Sequence, residues 1–167
     1  LPGEACCASA EAELMRYYIG IDPGKQGGLG VVADGESVVF PTPMAGKDYD
    51  IGAMRVILKK LSHIWVFAVI ERASARPGQG VVSMFEFGRG YGIWLGLLAA
   101  LEIPYQVVHP STWTKAMLKG APGEGKERAY LVARKLFPKW QPKKKKERQL
   151  ADALLLAEYA RRINQGK

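Results

Sequence analysis

Asp22 ends an apolar, aromatic and β-branched stretch, Tyr17-Tyr18-Ile19-Gly20-Ile21, and Glu71 ends another, Trp65-Val66-Phe67-Ala68-Val69-Ile70. A carboxylate at the tip of a buried strand is costly unless it meets solvent, a partner or a metal. Asp152 lies near the border of the apolar helical stripe made by Leu150, Ala153, Leu154 and Ala157, a position that suits a ligand reaching inward. If the two strands are neighbours, the acids converge at one sheet edge, and a hard cation between them relieves their repulsion. Oxygen donors with no Cys or His beside them suit magnesium, with manganese as a substitute, better than zinc or copper. The chemistry expected is phosphodiester hydrolysis with two Mg2+ ions about 4 Å apart, one activating water and one steadying the leaving 3′ oxygen, with Asp22 bridging both. Any one of these acids alone is more commonly a helix cap or an ion-pair partner; the set makes the case.

The charge balance agrees. The 167 residues carry 24 Lys and Arg against 16 Asp and Glu, a formal charge of +8 and a pI near 9.5, which points to a polyanion, nucleic acid first. The length suits one domain. Cys6 and Cys7, the only cysteines, are adjacent near the start and offer neither a disulfide framework nor a zinc spacing. No apolar run reaches the roughly 18 residues of a membrane span, and the beginning lacks a secretory signal, so a cytoplasmic protein with no membrane partner is expected. Met15 reads as a natural start, so residues 1–14 are expected to be a non-native or flexible leader and 15–165 the single domain.

The elements that must position the acids follow from periodicity. Tyr17 to Asp22, Leu29 to Ala33 and Ser37 to Thr42 read as three antiparallel strands, with Pro23-Gly24 and Asp34-Gly35-Glu36 as turns. Asp50 is a plausible N-cap for a helix through Leu61, Trp65 to Glu71 suits a strand buried on both faces, and Gln106 to Val108 is a short further strand. Helices are expected over Ser83 to Leu101, Pro110 to Lys119, Lys126 to Phe137 and Glu147 to Gln165. This order implies an α/β fold with a mixed sheet between helices.

Tyr18-Ile19-Gly20-Ile21-Asp22-Pro23-Gly24, Val69-Ile70-Glu71 and Ala151-Asp152-Ala153-Leu154 resemble, in order, the three acidic motifs of the RuvC-type Holliday junction resolvases. Phe85-Glu86-Phe87-Gly88-Arg89-Gly90-Tyr91-Gly92-Ile93-Trp94-Leu95-Gly96 and Val108-His109-Pro110-Ser111-Thr112-Trp113 resemble a RuvC-like branch of bacteria and their phages, related to the monokaryotic chloroplast resolvases of plants. The resemblance implies an RNase H-like, five-stranded mixed sheet flanked by helices on both faces. It also implies a homodimer that nicks a four-way DNA junction symmetrically. Lys126 matches the family's loop lysine, whose implied role is to steady phosphate or relay a proton. Relatives carry a fourth ligand, Asp or His, three to five residues before the last acid. Here Gln149 and Arg148 stand three and four before Asp152, and Glu147 stands five before. On a continuous helix Glu147 would lie about 140° away from Asp152, so it can join the metal only if the helix starts after it or bends. The fourth ligand is Glu147, Gln149 or none.

The resemblance, with the loop's position after Glu71, also suggests junction contacts by Arg76 and Gln79. Gly88, Gly90, Gly92 and Gly96 crowd a helical segment, which implies close approach by a dimer partner, a DNA backbone or the sheet, and Arg89 and Tyr91 beside them suggest DNA. Lys143, Lys144, Lys145 and Lys146 are either a phosphate clamp or a solvated charge run. His63 and His109 receive no role, and Trp65, Trp94, Trp113 and Trp140 are expected in the core or at its rim. Three rivals stay open: a catalytically weakened junction-binding protein, an RNase H-type nuclease of RNA–DNA hybrids, and an actin-like ATPase relative. The last needs a second domain that 167 residues do not supply, so no nucleotide cofactor is expected.

Overall fold

The computed structural model describes residues 16–33, 35–62, 65–74, 78 and 80–165. The expected leader, Arg76, Gln79 and His63 therefore lie outside the described residues.

Strands β1 (Tyr17–Asp22), β2 (Gly28–Ala33) and β3 (Glu36–Pro41) form the antiparallel meander that the apolar runs and their turn residues predict. Pro41, which cannot donate to a ladder, ends it. A two-stranded hairpin, β4 (Met44–Ala45) with β5 (Asp48–Tyr49), follows; the spacing gives no sign of it, because two-residue strands have no period to detect. Asp50 caps α1 (Ile51–Leu61), its carboxylate accepting from the Ala53 amide at 2.9 Å. The apolar run becomes β6 (Val66–Glu71), parallel to β1 and to β7 (Tyr105–Val108). The main sheet has the order β3-β2-β1-β6-β7, and β6 is buried on both faces as its composition requires.

Helix α2 (Val81–Ala100) and α1 pack on one face around Ile19, Ile21, Leu29, Ala68, Ile70, Trp94 and Leu98. Helices α3 (Pro110–Leu118), α4 (Gly125–Leu136) and α5 (Ala151–Asn164) cover the other around Tyr18, Val32, Val69, Trp113, Ala133 and Leu154. Among the described residues no helix is long and apolar enough to cross a membrane.

The helix expected from Glu147 to Gln165 is two elements. A 3₁₀ helix, Lys145–Leu150, precedes α5. Lysines crowd its start, where the positive end of a helix disfavours cations, and Glu147 offsets them: its Oε2 accepts from the amides of Lys143 at 2.8 Å and Lys144 at 3.3 Å.

Candidate active site

The alternation of a strand decides which face each acid occupies. In β1, Tyr18 belongs to the α3–α5 side and Ile19 and Ile21 to the α1–α2 side, so Asp22 falls on the α3–α5 side. In β6, Phe67 and Val69 face that side as well, and Glu71 follows by the same period. Parallel register pairs Ile21 with Ile70, which leaves Asp22 and Glu71 as the next residues on neighbouring strand ends.

Asp152 reaches them because α5 sits unusually close to the sheet. Gly20 and Gly30 are direct partners across β1 and β2. A Cβ on Gly20 would overlap the backbone of Ala153, Leu156 and Ala157, and one on Gly30 the backbone of Ala153 and Leu154. Two glycines below and two alanines above therefore let α5 lie on the strands, with Asp152 beside the contact. Gly27 is equally constrained, since a Cβ there would meet the Asp22 carboxylate. The turn after Asp22 is braced by the Gly24 amide pointing at Asp22 Oδ1 at 3.5 Å and by the Thr42 hydroxyl donating to the Gly24 carbonyl at 2.8 Å.

The carboxylates share one electrostatic field. Burial, then the charges of Asp22 and Glu71 against the opposing charge of Lys126, push the Asp152 carboxyl up to about 7. Burial raises Asp22 too, opposed by Lys126 and by the Gly24 amide. Lys126, in the first turn of α4, is thus the cation acting on both aspartates. The indole nitrogen of Trp113, in α3, donates to Glu71 Oε2 at 2.6 Å. Trp113 is 2% exposed, so it is the core residue that the sequence suggests and also a partner of a site acid. That role was missed, although a buried indole N–H needs an acceptor and so carried the signal.

The arrangement fits a hard cation by donor chemistry, all oxygen, and by the mutual repulsion of its acids. They are not gathered into a cage: among the described residues no group of three acids, histidines or cysteines is spaced to hold a metal ion. Glu147, although α5 does begin after it, caps the 3₁₀ helix. Gln149 lies within the 3₁₀ helix, two residues before α5, and its buried Oε1 has no hydrogen-bond partner among the described residues.

The expected DNA contacts separate. Lys143, Lys144, Lys145 and Lys146 are exposed and have no ion-pair partner among the described residues. Arg89 instead pairs with Asp48 at 2.6 Å and Glu86 at 2.8 Å, and Lys25 joins Glu86 at 2.7 Å. Tyr91 is half-buried against the α1–α2 core. Among the described residues only Gly90 of these glycines is closely approached, by the Tyr49 hydroxyl and the Pro23 carbonyl; nothing described lies within 4 Å of a Cβ at Gly88, Gly92 or Gly96. His109 caps α3, its Nδ1 accepting from the Ser111 amide at 3.3 Å.

No protein-family model and no curated protein matches the sequence. Solved structures do. RuvC of T. thermophilus in complex with a Holliday junction substrate superposes with a TM-score of 0.61 at 20% identity, over 87% of this chain and 91% of that one. A second Thermus thermophilus RuvC structure gives 0.58 at 22% identity, over 88% and 96%. With the mixed five-stranded sheet covered by helices on both faces, these likenesses show that the chain has the RNase H-like α/β fold in its RuvC-type form.

Proposed function

We propose that the protein is a magnesium-dependent endodeoxyribonuclease that resolves four-way DNA junctions by paired symmetric nicks, acting as a homodimer. In this reading it belongs to the bacterial and phage RuvC-like branch related to the monokaryotic chloroplast resolvases and works in the cytoplasm. The observation that carries the reading is the common field of Asp22, Glu71 and Asp152 at one sheet edge, in a basic chain whose fold is that of a protein solved on a Holliday junction. Asp22, Glu71 and Asp152 would hold the cations, which supply Lewis acidity and an activated water when bound. Lys126 offsets the acids in the free protein and is the group to steady the scissile phosphate. Trp113 fixes the carboxylate plane of Glu71. The exposed apolar start of α2, with Val81 83%, Val82 77% and Phe85 68% exposed, followed by the open glycines, supports a second copy on that face.

A second reading, a junction-binding protein with weakened catalysis, is favoured by the commitment of Glu147 to its cap. A nicking assay on a synthetic four-way junction with and without magnesium decides. Paired nicks in strands of like polarity support the resolvase. Binding without cleavage supports the weakened protein, and equal cleavage of linear duplex or of an RNA–DNA hybrid sinks junction specificity.

A further inference from the structure

Arg134 of α4 and Arg148 of the 3₁₀ helix share one aromatic ring, and among the described residues no carboxylate pairs with either. Arg148, in the 3₁₀ helix, lies over the Tyr130 ring with its guanidinium carbon 4.7 Å from the ring centroid, and Arg134 lies 5.9 Å from the same centroid. Arg134 also donates from Nη1 to the Tyr130 hydroxyl at 3.1 Å. Trp140 supports the ring edge-on, 6.1 Å between centroids. Neither arginine forms an ion pair among the described residues, whereas Lys139 nearby in sequence is paired with Glu36. Glu147, next to Arg148, is turned to the backbone amides instead. Arg134 has in addition a buried Nε with no partner among the described residues.

Two like charges on one ring repel, and the ring's negative face offsets this only in part. A third group carrying negative charge would complete the cluster. Guanidinium forks held in place by an aromatic ring lose little freedom on meeting phosphate, which they bind with paired N–H donors. The location suits a backbone track. Lys126, the cation acting on Asp22 and Asp152, begins α4, and Arg134 stands eight residues on, about 12 Å along the helix. At about 3.4 Å per nucleotide that is roughly three to four steps of one strand. Lys143 to Lys146 lead into the same 3₁₀ helix as Arg148.

We propose that Arg134 and Arg148, gathered on Tyr130, form a phosphate-binding station for a DNA arm, roughly three to four nucleotides from the bond to be cut. The proposal rests on the junction-nuclease reading. Its test is junction binding by the full chain, followed by fluorescence anisotropy in EDTA across a salt series. Arg134→Gln and Arg148→Gln should each weaken binding about five- to tenfold at moderate salt and flatten the salt slope by about one phosphate contact. Arg148→Lys should recover much of the slope but less of the affinity. Tyr130→Leu should act like the arginine losses, and Tyr130→Phe, which keeps the ring, should do less. Lys59→Gln, on the opposite face of the sheet, controls for net charge and should change little. Lower thermal midpoints with unchanged affinity and slope would mark the cluster as a structural fastener and overturn the station, as would an equal effect from Lys59→Gln. Wild-type protein that binds no junction overturns the station together with the junction reading. Steep wild-type binding with unaltered variants overturns the station alone.

Discussion

The indole nitrogen of Trp113 donates to Glu71 Oε2 at 2.6 Å, from a side chain that is otherwise sealed in the core. The bond ties α3 to the tip of β6 and fixes the plane of one site carboxylate. A hydrogen bond to a charged group contributes about 1.5 to 3 kcal/mol, and partners that orient a ligand typically alter metal affinity by about 10- to 100-fold. Trp113→Phe keeps most of the packing and removes the donor. Its half-saturating magnesium concentration for cleavage should rise by about that factor, with much of the rate recovered at high magnesium. An unchanged magnesium curve would show that Glu71 needs no such brace.

The Asp152 carboxyl, raised from 3.8 to about 7 by burial and by Asp22 and Glu71, makes the cation-free protein sensitive to pH. A carboxyl whose folded value is raised stabilises the fold only while protonated, so its contribution is full below about 4 and is lost as pH rises through about 7. Asp152→Asn stays neutral. Its stability advantage over wild type should grow from pH 4 to pH 8, to on the order of 4 kcal/mol, as read from urea midpoints. Asp22→Asn should lower the Asp152 titration seen by carboxyl NMR, because the Asp22 charge is the largest cause after burial. The same variant should abolish cleavage and leave junction affinity largely intact. A titration indifferent to Asp22 would contradict their shared field.

Lys126 opposes the upward shift of both aspartates. Lys126→Ala should cut single-turnover cleavage by about 100- to 1,000-fold, the range for losing one preorganised donor, with magnesium affinity nearly unchanged. The acid limb of the pH–rate profile should also move to higher pH, since nothing replaces the charge that holds Asp22 and Asp152 down. A full rate with an unmoved profile would remove Lys126 from the site.

The strand tips were legible because short apolar, β-branched runs and the turn residues that end them are local signals. So were Asp50 as a cap and the two-sided burial of β6. What escaped was the floor of the site. Gly20 and Gly30 are ordinary strand glycines in isolation, and only the cross-strand register makes them one platform for Ala153 and Ala157. The glycines of α2 form the more conspicuous cluster in sequence, yet among the described residues Gly90 alone is packed. The break before α5 was hidden as well, because Glu147 to Leu156 reads as good helix, and the crowd of lysines that favours a separate capped turn lies outside any apolar period. Arg89 shows the same limit: its pairs with Asp48 and Glu86 join residues distant or unremarkable in sequence, so no local pattern announces them.

That break also decides what Glu147 and Gln149 can do. Glu147 accepts from two backbone amides at the head of the 3₁₀ helix, so its carboxylate serves the turn that leads to Asp152. Glu147→Gln retains an acceptor oxygen but loses the charge that favours a helix start, and should cost about 0.5 to 1 kcal/mol of stability with cleavage by the folded protein little changed. Gln149 differs, with a buried amide oxygen that finds no partner among the described residues. Replacing such a group with an apolar one of similar length relieves its desolvation cost, so Gln149→Met should be neutral or stabilising in a urea melt. Gln149→Asp would bury a charge instead and should destabilise, unless magnesium reaches it. A magnesium titration of stability and of cleavage for these variants separates the cases. If Gln149→Asp is rescued by magnesium and cuts faster than wild type, Gln149 occupies the fourth ligand position. If Glu147→Gln alone abolishes cleavage while remaining folded, Glu147 leaves its cap to bind the metal. If neither variant alters the magnesium curve, Asp22, Glu71 and Asp152 work without a fourth ligand.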